Sequence, residues 1–190
     1  MLTDCRKIAV IDTETNYDNE VMSIGTVIAD ACDLSLLERQ YLILDPEYKK
    51  PAMFSVELNH KRAKIDAVTT RTMAIRYVAE LLERNGVSDL FAYNAAFDCG
   101  HLPELHAYRW YDIMKIAAYK QYNPAITDRM PCCRTGKLKC SYGAESIYRM
   151  LAGTCSYYEV HNALTDAEDE LMIMRMLRQD LAVYENARIN

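Results

Sequence analysis

The sequence predicts an α/β fold: one mixed sheet, a three-stranded meander plus parallel strands, flanked by helices. Three short apolar segments rich in β-branched residues follow one another near the N-terminus, with short polar links between them. A helical stripe and a further short apolar run come next, the order expected of a strand that returns parallel to the first. No repeat or linker is visible, so we expect a single domain over residues 1–190.

The predicted meander strands are residues 7–11, 21–30 and 34–44. Asp45-Pro46 ends the third strand, because the residue before proline disfavours regular continuation. Residues 47–68 mix charged and apolar side chains and carry no assignable period. A helix is predicted at residues 69–84, which Asn85-Gly86 ends, and a buried strand at residues 89–94.

Further helices are predicted in the C-terminal half, at residues 111–122 and 141–151. The last helix is expected to begin at Thr165, because Glu168 follows three residues later as in a capping box. Residues 129–144 hold no acid, while Arg129, Arg134, Lys137 and Lys139 make a local positive segment that could contact phosphates or simply be solvated.

The net charge of −5 argues against a protein that coats long nucleic acids, but it leaves room for an enzyme that grips a few nucleotides. The N-terminus lacks a signal-peptide pattern and no segment is long enough to cross a membrane, so the expected location is cytoplasmic. Seven cysteines, an odd number, favour free thiols. A zinc site at Cys132, Cys133 and Cys140 is the weaker alternative, because the adjacent pair lacks C-x-x-C spacing.

Acidic side chains stand where two predicted strands and one helix meet the same edge of the sheet. Asp12 and Glu14 share a face because side chains alternate along a strand. Asp98 follows the strand at residues 89–94, and Asp166 falls in the first turn of the last helix, with His161 on the approaching loop. Clustered carboxylates need a proton or a cation between them, and oxygen ligands suit Mg or Mn.

Three segments of the chain resemble, in this order, the three motifs of the DEDDh exonucleases, the DnaQ-like group. They are Asp12-Thr13-Glu14-Thr15, then Asn94-Ala95-Ala96-Phe97-Asp98, then His161 with Asp166. The resemblance implies a ribonuclease H-like fold and release of nucleoside monophosphates from the 3′ end of single-stranded DNA or RNA. It also implies that Asp12, Glu14, Asp98 and Asp166 hold two divalent ions, Mg or Mn, with His161 as general base. Thr13, Thr15 and Asn94 would line the site of the terminal nucleotide.

Two departures from the family pattern bear on substrate preference: Asn16-Tyr17 follows the first motif where many relatives have Thr-Gly, and Tyr93 stands where proofreading subunits commonly carry histidine. A homodimer or an association with a polymerase is compatible with the sequence. One alternative is a non-catalytic DnaQ-like module that binds nucleic-acid ends or a polymerase partner. Another is an unrelated α/β protein with coincidental acids.

Overall fold

The computed structural model describes residues 6–190, and six strands in them form one mixed sheet in the order β4-β3-β2-β1-β5-β6. The strands are β1 (Lys7–Thr15), β2 (Val21–Asp30), β3 (Leu36–Leu44), β4 (Ala67–Thr69), β5 (Asp89–Ala92) and β6 (Arg109–Asp112). β1, β2 and β3 form the predicted antiparallel meander. β5 pairs parallel to β1, so the predicted mixed sheet is confirmed.

Helices cover both faces of this sheet and give it two separate apolar cores. They are α1 (Arg71–Arg84), α2 (Ala96–His101), α3 (Met114–Ala117), α4 (Ala144–Ala152) and α5 (Ala163–Leu177). The β1 strand shows the division clearly, since Ile8 and Val10 pack in the core that holds α5. Ala9 and Ile11 pack in the core that holds α1. The strand is therefore buried on both faces, which explains its continuous apolar run.

The structure corrects one prediction about secondary structure and assigns one segment that the sequence left open. Residues 111–122, predicted as one helix, begin inside strand β6 and continue into the four-residue α3. Strand β6 pairs with β5 over four residues, and this tertiary contact outweighs the weak helical spacing that follows it. Residues 47–68 contain two short 3-10 helices and the start of β4. No helix within residues 6–190 is long and apolar enough to cross a membrane.

Candidate active site

The candidate site lies where β1 ends against the first turn of α5. Asp12 and Glu14 continue the face of β1 that packs toward α5, and Asp166 lies in the first turn of that helix. A ring nitrogen of His161 and carboxylate oxygens of Glu14 and Asp166 lie within 4.8 Å of one another. The group has the geometry for one metal ion, to which Glu14 and Asp166 offer the oxygen donors that a hard divalent cation prefers.

The close approach of α5 to the sheet depends on Gly25. This glycine lies opposite Asp12 in the register of β1 and β2. A Cβ atom at residue 25 would lie 2.1 Å from the carbonyl oxygen of Ala163, the first residue of α5. The helix end therefore rests directly on the strand backbone, which brings Asp166 to the acids of β1.

Asp98 joins the group from the first turn of α2 and is 2% exposed. Its Oδ1 accepts hydrogen bonds from the backbone N–H of Thr13, at 3.0 Å, and from the Thr13 hydroxyl, at 2.7 Å. Thr13 thus holds Asp98 in place from the strand that carries Asp12. Thr15 is the last residue of β1 and is half-buried. Asn94 is exposed, has a φ of 61° and donates its N–H to Asp112 at 3.0 Å.

Burial and mutual repulsion raise the pKa of every predicted acid in the site. Burial, and then the charge of Asp98, raise the pKa of Asp12 well above its ordinary value. Burial raises the pKa of Asp98 to about 7 against the opposing hydrogen bonds from Thr13. Burial and the nearby Glu159 raise the pKa of Glu14 to about 7 and that of Asp166 to about 8. Without a cation, these carboxyls therefore hold protons near neutral pH.

Two further acids face the group and were missed from the sequence. Glu170, one helical turn after Asp166, is 4% exposed and accepts a hydrogen bond from the Tyr93 N–H at 3.0 Å. Its pKa is raised well above the ordinary value, by burial and then by Asp98. The i, i+4 spacing to Asp166 was the signal that could have found it. Glu159 lies in an irregular segment, where no periodicity could have placed it.

His161 lies at the end of residues 154–162, an irregular segment between α4 and α5 that we call the histidine loop. Its φ of 59° falls in the left-handed region, which costs energy for a residue with a side chain. The imidazole stacks on Phe54, with ring centroids 3.8 Å apart and an interplanar angle of 17°. The stacking contact with Phe54 offsets part of the energetic cost of this backbone conformation.

The next residue, Asn162, corrects the predicted start of the last helix. Asn162, not Thr165, caps α5, because its side chain accepts a hydrogen bond from the Thr165 N–H at 3.3 Å. The Asn162 amide also donates to the Tyr41 hydroxyl at 2.9 Å and to the Glu57 carbonyl at 2.7 Å. The Glu168 carboxylate does not complete a capping box but forms a salt bridge with Arg39 at 2.9 Å. Asp166 still falls in the first turn, as predicted.

Side chains also fasten the middle of the histidine loop. The Tyr157 hydroxyl donates to Asp169 of α5 at 2.8 Å, and the Tyr157 ring stacks on Tyr148 of α4 with centroids 3.8 Å apart. Glu145 of α4 accepts the N–H of Glu159 at 3.0 Å. The loop is therefore attached to the helices on both of its sides.

The cysteines do not gather into a metal site in the part of the chain that the structure describes. Within it, the group formed by Glu14, His161 and Asp166 meets the geometry for a metal ion, and Cys132, Cys133 and Cys140 form no such group. These three cysteines are free thiols.

The mixed sheet flanked by helices is a class of fold that the chain shares with solved exonucleases. The nuclease domain of 3'hExo, a DEDDh family member bound to rAMP, matches with a TM-score of 0.62 at 16% identity, over 99% of this chain and 98% of that one. Exonuclease X, in complex with 5' overhanging duplex DNA, matches with a TM-score of 0.57 at 20% identity, over 94% and 98%.

A 3'-exonuclease solved for its recognition of the histone mRNA stem-loop matches with a TM-score of 0.63 at 17% identity. That match covers 92% of this chain, which spans 64% of the length of the other. No protein-family model and no curated protein matches the sequence. These structural likenesses confirm the predicted ribonuclease H-like fold, a mixed sheet flanked by helices.

Proposed function

We propose that this protein is a metal-dependent 3′-5′ exonuclease that releases nucleoside 5′-monophosphates from the 3′ end of single-stranded nucleic acid. The observation that carries the proposal is the approach of Glu14, His161 and Asp166 to within 4.8 Å, beside the half-buried Asp12 and the buried Asp98. Such a group places metal-binding oxygens and a proton acceptor around one point, as phosphodiester hydrolysis requires.

The four acids of the three motifs are the residues that would hold the metal ions. Asp12, Glu14, Asp98 and Asp166 would together hold two divalent ions. Their raised pKa values support this role, because a cation is what permits buried carboxylates to ionise together. When bound, two divalent ions, Mg or Mn, neutralise charge on the phosphate oxygens and make water more acidic.

His161 would accept the proton of the attacking water. Neutral imidazole is a good acceptor near physiological pH, and stacking on Phe54 fixes the plane in which its ring nitrogens lie. Glu159 faces His161, and their charges attract.

The end of β1 and the turn after β5 are the proposed contacts for the terminal nucleotide. Thr13, Thr15 and Asn94 border the acids, and exposed Asn94 offers a free side-chain amide. Nucleic-acid ligands of the structural neighbours, among them rAMP, duplex DNA and a dA16 oligonucleotide, support this class of substrate.

The test is digestion of 5′-labelled single-stranded DNA and RNA of matched sequence with Mg or Mn. Wild type is expected to give a ladder that shortens from the 3′ end. The Asp12→Ala and His161→Ala variants are expected to lose it, the histidine variant by about 10²-fold or more in rate. Glu80→Ala, which removes an exposed acid from α1, is the matched control and is expected to keep full activity.

Failure of the metal-loaded wild type to cleave either polymer would overturn the exonuclease proposal. In that case the protein would be a non-catalytic module that binds nucleic-acid ends or a polymerase partner. Equal cleavage by wild type and Asp12→Ala would assign the activity to a contaminant.

A further inference from the structure

Residues 131–139 form a short hairpin, which we call the basic hairpin. Cys132 and Leu138 form an antiparallel bridge, and the turn closes with a bond of 2.9 Å from the Gly136 N–H to the Cys133 carbonyl. The hairpin is docked on the body by a 2.9 Å bond from the Leu138 N–H to the Ala118 carbonyl. Its conformation is therefore set by the fold.

The hairpin and its flanks carry cations that no acid neutralises. Arg129, Arg134 and Lys139 are exposed and Lys137 is half-buried. Residues 129–144 contain no Asp or Glu, and across residues 6–190 none of these four cations forms a salt bridge. In a chain of net charge −5, this concentration of unpaired positive charge lowers the local free energy of a bound anion.

Tyr93 links this positive surface to the acids. Its backbone N–H donates to Glu170, which faces Asp98 and Asp166, while its hydroxyl donates to the carbonyl of Tyr142, just past the hairpin. Tyr142, three residues past the hairpin, is therefore one tyrosine side chain away from the acidic cluster. The Nζ of Lys137 lies 4.5 Å from the centroid of the Tyr142 ring, which is 36% exposed.

We propose that the basic hairpin binds the backbone phosphates of a single-stranded nucleic acid on the 5′ side of its 3′-terminal nucleotide. The inference rests on the proposed function and names the path of the strand away from the site. The acids would hold the 3′ end of the strand through metal ions, while their negative charge repels the remaining phosphates. Arg134 and Lys137 supply positive charge that attracts those phosphates. An ammonium group beside an exposed aromatic ring is the combination that single-strand surfaces use.

The test compares a three-nucleotide and a twelve-nucleotide substrate, because the shorter one ends before it can follow the hairpin. Initial rates with Mn give kcat/KM over a range of salt concentrations. For the longer substrate, Arg134→Ala with Lys137→Ala is expected to lower kcat/KM about tenfold through KM. The slope of log kcat/KM against log salt should become shallower by about 1.4, about 0.7 for each lost phosphate contact.

Two control variants separate this effect from a general loss of charge. Arg76→Ala with Arg84→Ala removes two exposed cations from α1, on the opposite face of the sheet, and is expected to match wild type. Arg134→Lys with Lys137→Arg keeps both charges and is expected to restore the salt slope.

The outcomes distinguish the hairpin from the exonuclease. Wild-type hydrolysis together with an unchanged KM and salt slope in the double alanine variant would overturn the hairpin proposal alone. Equal losses in the α1 control would overturn it as well. Failure of wild type to hydrolyse either substrate would overturn the proposed function, and the hairpin proposal with it.

Discussion

The two halves of the candidate site are built in different ways. Asp12 and Glu14 belong to β1, which is paired on both sides and buried on both faces. His161 belongs to the histidine loop, which has no regular structure and is held by side chains of α4, α5 and the segment around Phe54. Backbone pairing fixes the acids, whereas individual replaceable contacts fix the histidine.

Because different contacts fix the two halves, we expect a mutation in one half to leave the other half intact. A change among the acids alters metal binding and the charge balance of the buried cluster. A change in the contacts of the histidine loop should alter the position of the imidazole while the fold and the metal affinity remain. The following expectations test that separation, from the largest effect to the smallest.

The largest effect is expected from Asp12→Asn, which keeps the shape of the side chain and removes its charge. Activity should fall by about 10³-fold or more, because a metal-holding site supplies several kcal/mol of stabilisation to the transition state. Calorimetry should show manganese binding weakened together with activity. Asp18→Asn, at an exposed acid in the turn after β1, is the control, and an equal loss there would contradict the expectation.

The stability of the metal-free protein should fall as the pH rises. Folded Glu14 and Asp98 keep their protons up to a pKa of about 7 and Asp166 up to about 8. The unfolded chain releases them near pH 4, so between about pH 4 and 8 the unfolded state binds fewer protons and the free energy of unfolding decreases. Thermal melts should show this decline, and Mn should reverse it most strongly at pH 8. A pH-independent melting temperature over this range would contradict it.

Phe54→Ala should lower kcat about tenfold while manganese affinity stays unchanged. The variant removes the ring on which His161 stacks and leaves the acids untouched. Met53→Ala, at the neighbouring position that is 67% exposed, is the control. Equal losses in both variants would show that the stack does not orient the imidazole, whereas recovery in Phe54→Tyr would support that role.

The smallest effect is expected from Tyr157→Phe. This variant removes the hydroxyl that donates to Asp169 and keeps the ring that stacks on Tyr148. Loss of a hydrogen bond to a carboxylate should cost about 1.5 kcal/mol in the free energy of unfolding and lower kcat a few-fold. Denaturant titration and initial rates measure the two effects. Tyr158→Phe, 70% exposed, should change neither, and identical behaviour of the two variants would rule out a role for this bond.

The sequence predicted the meander, the parallel strand and the positions of the acids, because each follows from local patterns. Strand alternation placed Asp12 and Glu14 on one face, and the strand before Asp98 placed that residue at the same edge. The metal-binding and catalytic roles of these residues remain predictions.

Features set by tertiary contacts were not predictable in this way. Strand β6 forms because its four residues pair with β5, and Asn162 caps α5 while its amide binds Tyr41, far along the chain. Glu170 could have been found from its spacing to Asp166. Glu159 could not, because its placement depends on how the histidine loop is fastened to Glu145.

Gly25 has a consequence for any redesign of this protein. Since the first residue of α5 touches the backbone at residue 25, the gap between strand and helix has no side chain through which it could be tuned. Even the single methyl group of alanine would push the helix away and carry Asp166 with it. An apolar position with no chemistry of its own thus governs whether the acids can share a cation. A sequence search for this kind of site should require glycine there as strictly as it requires the carboxylates.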